Sequence, residues 1–182
     1  MDLFFGKAKC AECHNGKFFT DQKFYALALP QFGPGRTRFL DPYVRDVGRM
    51  GETDKLEDAY RFRTQTLRNV ALTAPYGHNG SFATLEGIIH HHLDPINSLE
   101  NWDSSQVILP KAKWLENIDF VVLKDRLERE RLKSRLDIKP IELSENEVSE
   151  LVSFMHSLTG TNSIWGKLGK PKQVPSGLPV KD

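Results

Sequence analysis

Apolar positions along the chain recur mostly at helical spacing. Leu85, Ile88, Ile89 and His92 fall at i, i+3, i+4 and i+7, one stripe of a helix that Thr84 caps and Glu86 supports in its first turn. Asp94-Pro95 ends that helix after about His92, because the residue before proline avoids helical geometry. Val148, Leu151, Val152 and Met155 form a second stripe, opened by a Ser144/Glu147 capping box and closed at Thr159-Gly160. Residues 1–14 predict a short helix through Leu3-Phe4-Phe5 with no visible N-cap, and a brief helical stretch is expected over Leu67–Leu72. Between Pro110 and Pro140, residues 111–137 predict one long charged helix with Leu115, Ile118 and Val122 on its apolar side. Its second half, ERERLKSR, reads as a solvated face rather than a docking surface. Residues 15–60 read as loops with brief helical turns, residues 94–110 as irregular, and the tail from Ser163 as extended. Strand signals are weak, so the fold class is mostly α. The expected organisation is one domain over 1–162, with 111–137 as a helical insertion, and a tail over 163–182.

The 182 residues suffice for one sizeable core, and a net charge of +1 gives no drive toward nucleic acid or an anionic membrane surface. No apolar run is long enough to span a bilayer, and the first residues lack the basic and apolar regions of a signal peptide. The two cysteines, Cys10 and Cys13, are three positions apart, so the chemistry they serve is local rather than a disulfide framework.

Cys10-Ala11-Glu12-Cys13-His14 is a C-x-x-C-H sequence, the pattern by which haem is attached. Two thiols at this spacing can add to the two vinyl groups of a porphyrin, and the adjoining imidazole then lies under the iron. Two other uses of the pair compete. Half a zinc site would need further ligands from His14 and the histidines at 90–92, and a redox dithiol would expect a βαβ pattern that is lacking. A second axial ligand is sought among His90, His91 and His92, whose side chains diverge by about 100° on a helix, so at most one faces the iron. His92 alone belongs to the apolar stripe. Met50 in a polar loop is a weaker candidate, Met155 reads as core packing and His156 as facing solvent. His78 lies in a Pro-Tyr-Gly-His-Asn-Gly turn suited to function. Arg61, Arg63 and Arg68 lie near it in sequence and could pair haem propionates or simply solvate a surface.

LFFGKAKCAECHNGKFFTDQKF, DVGR at Asp46–Arg49, RTQTLRNVALTAPYGHNGSFATLEGIIHHH, LSENEVSELVSFMHSLTG and VPSGLPV follow one another in an order that resembles the C-terminal haem domain of bacterial di-haem cytochrome c peroxidases, and more closely their MauG-like branch. The resemblance implies a cytochrome c-like domain around one covalent haem c, with Cys10 and Cys13 as anchors and His14 as proximal ligand. It places the distal ligand fourteen residues past the turn histidine, at His92, where the family uses Met or Tyr. It implies a partner in an N-terminal haem domain or a second haem-bearing chain, and possible calcium on the Thr73 and Pro75 carbonyls. It further implies a small redox donor protein, hydrogen peroxide as oxidant and a periplasmic setting. The expected role is electron transfer within a peroxidase-type oxidoreductase, with His78 near the route between haems and Arg63 and Arg68 holding propionates. A stand-alone mono-haem electron carrier or haem sensor is the alternative.

Overall fold

The computed structural model describes residues 1–33, 35, 44–107, 109, 112–114, 116–165 and 176. Pro110, Leu115 and most of the tail, including VPSGLPV apart from Ser176, lie outside the described residues. The elements are α1 (Asp2–Phe5), β1 (Phe24–Tyr25), α2 (Met50–Thr53), β2 (Phe62–Arg63), α3 (Leu85–Leu93), α4 (Pro95–Glu100), α5 (Val121–Lys124), α6 (Arg126–Ser134), α7 (Glu145–Ser157) and α8 (Thr161–Trp165), with short 3-10 turns at Cys10–Glu12, Leu56–Asp58, Val70–Leu72 and Ser104–Gln106. Strands β1 and β2 pair antiparallel, Phe24 with Arg63 and Tyr25 with Phe62.

Two apolar clusters organise the chain. In the first, Leu85, Phe82 and Ile89 from α3 and its approach meet Val148, Leu151 and Met155 of α7, with Phe4, Leu29, Val70 and Tyr76 filling between them. Met155 is therefore packing, as expected, and His156 is exposed. The second cluster gathers Ala26, Val47, Met50, Tyr60, Leu99 and Leu132. Met50 is 6% exposed on α2 and belongs to this core rather than to a polar loop.

Both predicted caps form. The Thr84 hydroxyl accepts the Gly87 N–H at 3.0 Å, and Ser144 and Glu147 exchange side-chain-to-backbone bonds at 3.3 and 2.8 Å. Helix α7 ends at Ser157 with Leu158 as its C-cap, so Gly160 follows the helix by several residues. Two expectations fail for one reason, the capping strength of aspartate. Asp94 does end α3, but its carboxylate also accepts the Asn97 N–H at 3.2 Å and starts α4 with Pro95 in the first turn, where irregular chain was expected. Likewise 111–137 is not one helix: Asp125 adopts an extended backbone and accepts from Leu127 and Glu128 N–H groups, dividing α5 from α6. Proline-free charge patterning could not show this, because a mid-helix Asp and an N-cap Asp have the same composition. Residues 163–165, predicted as the start of an extended tail, are helical as part of α8 (Thr161–Trp165).

Candidate functional site

Helix α1 feeds the C-x-x-C-H turn. Phe4 is fully buried, and its ring lies 4.9 Å from Phe154 of α7 and 5.9 Å from Phe19, which seats the motif against the first cluster. Lys9 takes a left-handed conformation (φ 54°) and turns the chain into the 3-10 turn, where His14 N–H bonds to the Cys10 carbonyl at 2.9 Å. The two cysteines and His14 thus share one turn, each half-buried, and neither thiol is in a disulfide.

Phe19 is also left-handed (φ 53°), and its carbonyl faces His14 Nδ1 at 3.1 Å. A carbonyl only accepts, so Nδ1 carries the hydrogen and Nε2 keeps the lone pair that a metal requires. His92 repeats this arrangement. Its Nδ1–H donates to the Ile88 carbonyl at 2.8 Å, one turn back on α3, and so leaves Nε2 as the donor atom. Burial pushes His14 down to about 4, the nearby charge of His92 adds to this, and the Phe19 and Gln65 carbonyls oppose it. Burial likewise depresses His92. Both rings are neutral at neutral pH, the state in which imidazole binds a metal. Burial pushes the Cys10 thiol up to about 11, and burial also raises Cys13. These are the opposite of the depressed values a redox dithiol needs. Among the described residues no group of three or more His, Cys, Asp or Glu side chains could hold a metal ion, so the zinc alternative lacks its ligands there. Two free thiols in one turn, and two neutral imidazoles whose charges reach one another, are a donor set that would fit a covalently held haem.

The three consecutive histidines separate as the helix demands. His90 is exposed beside Glu145 at 3.7 Å. His91, rather than His92, is the fully buried one, so the sequence stripe misassigned the burial. Its Nε2–H donates to the Leu27 carbonyl at 2.8 Å, its Nδ1 accepts from Ser98 Oγ of α4 at 3.0 Å, and Phe82 lies 5.0 Å away. His92 is half-buried, and its charge reaches His14.

Around this pair the other candidates scatter. Arg63 on β2 donates to Gln22 and to Gln65 Oε1, the latter at 3.2 Å. Arg68 donates to the Lys17 carbonyl at 2.8 Å and sits 5.5 Å from the Phe18 ring, on the loop that follows the motif. Arg61 is paired with Asp137 at 2.9 Å. The His78 ring stacks on Phe62 at 3.5 Å and 10°, 3.9 Å from Asp46, and burial pushes it down to about 4. Thr73 and Pro75 are exposed, and the Thr73 hydroxyl donates to the Val70 carbonyl at 2.9 Å. Sequence reasoning missed Phe19 and His91. A positive φ at phenylalanine leaves no compositional trace, and three adjacent histidines look alike until the helix is packed.

A helical domain built around a C-x-x-C-H turn and a nearby histidine has the form of a c-type cytochrome domain. No family profile matches the chain. It is 39% identical over 108 residues to cytochrome-c peroxidase IdrP1 of Denitromonas iodatirespirans, covering 48% of this chain and 28% of that protein. It is 28% identical over 157 residues to methylamine utilization protein MauG of Methylorubrum extorquens, covering 86% and 32%. The crystal structure of a MauG-like protein associated with microbial copper homeostasis matches with a TM-score of 0.55 and 26% identity, over 88% of this chain and 46% of the other. The chain is thus similar to part of cytochrome c peroxidases and MauG proteins, and its sequence motifs resemble their C-terminal haem domain. It spans about a third or less of the length of those curated relatives.

Proposed function

We propose that this chain is the electron-transferring haem domain of a di-haem peroxidase or MauG-like oxidoreductase, with Cys10 and Cys13 as thioether anchors and His14 and His92 as axial ligands. The observation that carries this reading is the matched pair of imidazoles, each held through Nδ1 by a backbone carbonyl with Nε2 left as the donor. A haem so bound supplies reversible one-electron chemistry. The chain's own contribution is to fix both rings in their neutral tautomers, so that His14 and His92 would both hold the iron through nitrogen. That occupation leaves no coordination place for peroxide, so peroxide reduction would fall to a second haem, in an N-terminal domain or another chain. Two imidazoles also favour a lower potential than the His/Met pair, because thioether sulfur stabilises ferrous iron more.

The exposed loop bearing Arg68, together with Arg63 on β2, would serve propionates, and His78 on its Phe62 platform would lie toward the partner haem. Thr73 and Pro75 would offer backbone carbonyls to a calcium ion shared with a partner haem domain, a ligand type that suits calcium. A small redox protein as donor and a periplasmic location complete the proposal. Among the described residues no helix is long and apolar enough to cross a membrane.

His92→Ala tests the reading. In haem-loaded protein the variant should change from a low-spin to a high-spin visible spectrum and bind cyanide readily. A spectrum that stays low-spin removes His92 from the ligand set. A colourless protein after periplasmic maturation, negative as a pyridine haemochrome, would refute haem attachment altogether.

A further inference from the structure

Helix α3 carries His92 near enough for its charge to reach His14, yet among the described residues the hydrogen bond of His92 is local, to a carbonyl of its own helix. A bond within the helix cannot set the helix's rotation. That rotation has to be fixed by contacts α3 makes with other elements: its apolar side packs on α7, exposed His90 approaches Glu145 only at 3.7 Å, and buried His91 makes two hydrogen bonds that reach outside the helix. Its Nε2–H is held by the Leu27 carbonyl, and its Nδ1 accepts the Ser98 hydroxyl of α4. Both partners come from outside α3, 64 residues before and 7 residues after in sequence. The ring is fully buried and bounded by Phe82. A buried ring with both nitrogens satisfied has one orientation, since a flip would oppose two acceptors, Leu27 O and the Nδ1 lone pair, to wrong partners.

The two adjacent rings stand 6.3 Å apart at 89°, so a turn of α3 that moved one would move the other. Side-chain tips lie roughly 5–6 Å from a helix axis, and a rotation of about 20° would displace them by about 2 Å. Axial ligation tolerates only a small fraction of that.

We infer that His91 is a positioning residue for the haem: its two hydrogen bonds lock the rotation of α3 so that His92 Nε2 is directed at the iron. The inference rests on His92 being a ligand. His91 touches neither cofactor nor His14 in this role and acts only through its neighbour.

The test uses full-length haem-loaded protein, with electron paramagnetic resonance, the visible spectrum and cyanide association as readouts. His91→Phe keeps the ring volume and loses both hydrogen bonds. At temperatures well below its melting point it should show shifted low-spin g values or a high-spin fraction, and cyanide association faster by about 10-fold. His91→Gln, whose amide can still donate to Leu27 O, should recover part of the native spectrum. A folded His91→Phe protein with native g values and native cyanide kinetics overturns the inference. Should His91→Phe fail to fold, Ser98→Ala removes only the Nδ1 partner, and native values in that variant overturn it equally. A native protein that is already high-spin would instead overturn the ligand assignment of His92, and this inference with it.

Discussion

The C-x-x-C-H turn is surrounded by Phe4, Phe19 and Phe154, whereas Glu128 on α6 is surrounded by Arg45, Arg131 and Tyr60. Both regions bury polar groups, but they treat them differently. The aromatic region offers its histidines backbone carbonyls and, at His14, the smaller opposing charge of Asp21, so burial prevails and keeps the rings neutral and their Nε2 atoms available. The α6 region buries a carboxylate, 2% exposed, and meets it with guanidinium groups at 3.1 and 3.0 Å. One arrangement leaves neutral nitrogen atoms free, and the other sets opposite charges against one another to hold α6 to the body.

Three substitutions sharpen this contrast. Leu151→Ala, at the centre of the α3–α7 cluster where Leu151 is 2% exposed, should lower unfolding stability by about 3 kcal/mol. Chemical denaturation reads the loss, and the haem spectrum should broaden with it because α7 backs the motif. Glu128→Ala should cost about 2 kcal/mol, since it removes the buried carboxylate that Arg45 and Arg131 share. Here the spectrum should stay native. A spectral change in Glu128→Ala would show that the two regions are not separable. Thr84→Ala, which removes the cap of α3, should cost about 1 kcal/mol by thermal melting and leave spin state unchanged, because a frayed first turn does not rotate the last.

How much of this was legible in the sequence follows from how local each feature is. The Thr84 cap, the Ser144/Glu147 box and the α7 stripe depend on residues within four positions of one another, and all three form. The second start at Asp94 and the break at Asp125 depend on which of two local roles an aspartate takes, and neighbouring packing makes that choice. His92 was singled out by a stripe on which it proves only half-buried, while its neighbour occupies the interior. The stripe counted sequence neighbours of α3 and could not see that the Leu27 carbonyl, a long way off in the chain, would claim His91. The same limit hid the role of Phe19, whose function lies in a backbone angle.

Both imidazoles at the centre of the site are steered by main-chain oxygens, Phe19 O for His14 and Ile88 O for His92. Replacing Phe19 or Ile88 with alanine keeps the carbonyl, so a conventional mutational scan would pass over the groups that set ring tautomer and would credit the outcome to lost hydrophobic volume. Removing such an acceptor calls for altering the backbone itself, for instance by an amide-to-ester exchange that weakens the carbonyl and leaves every side chain in place.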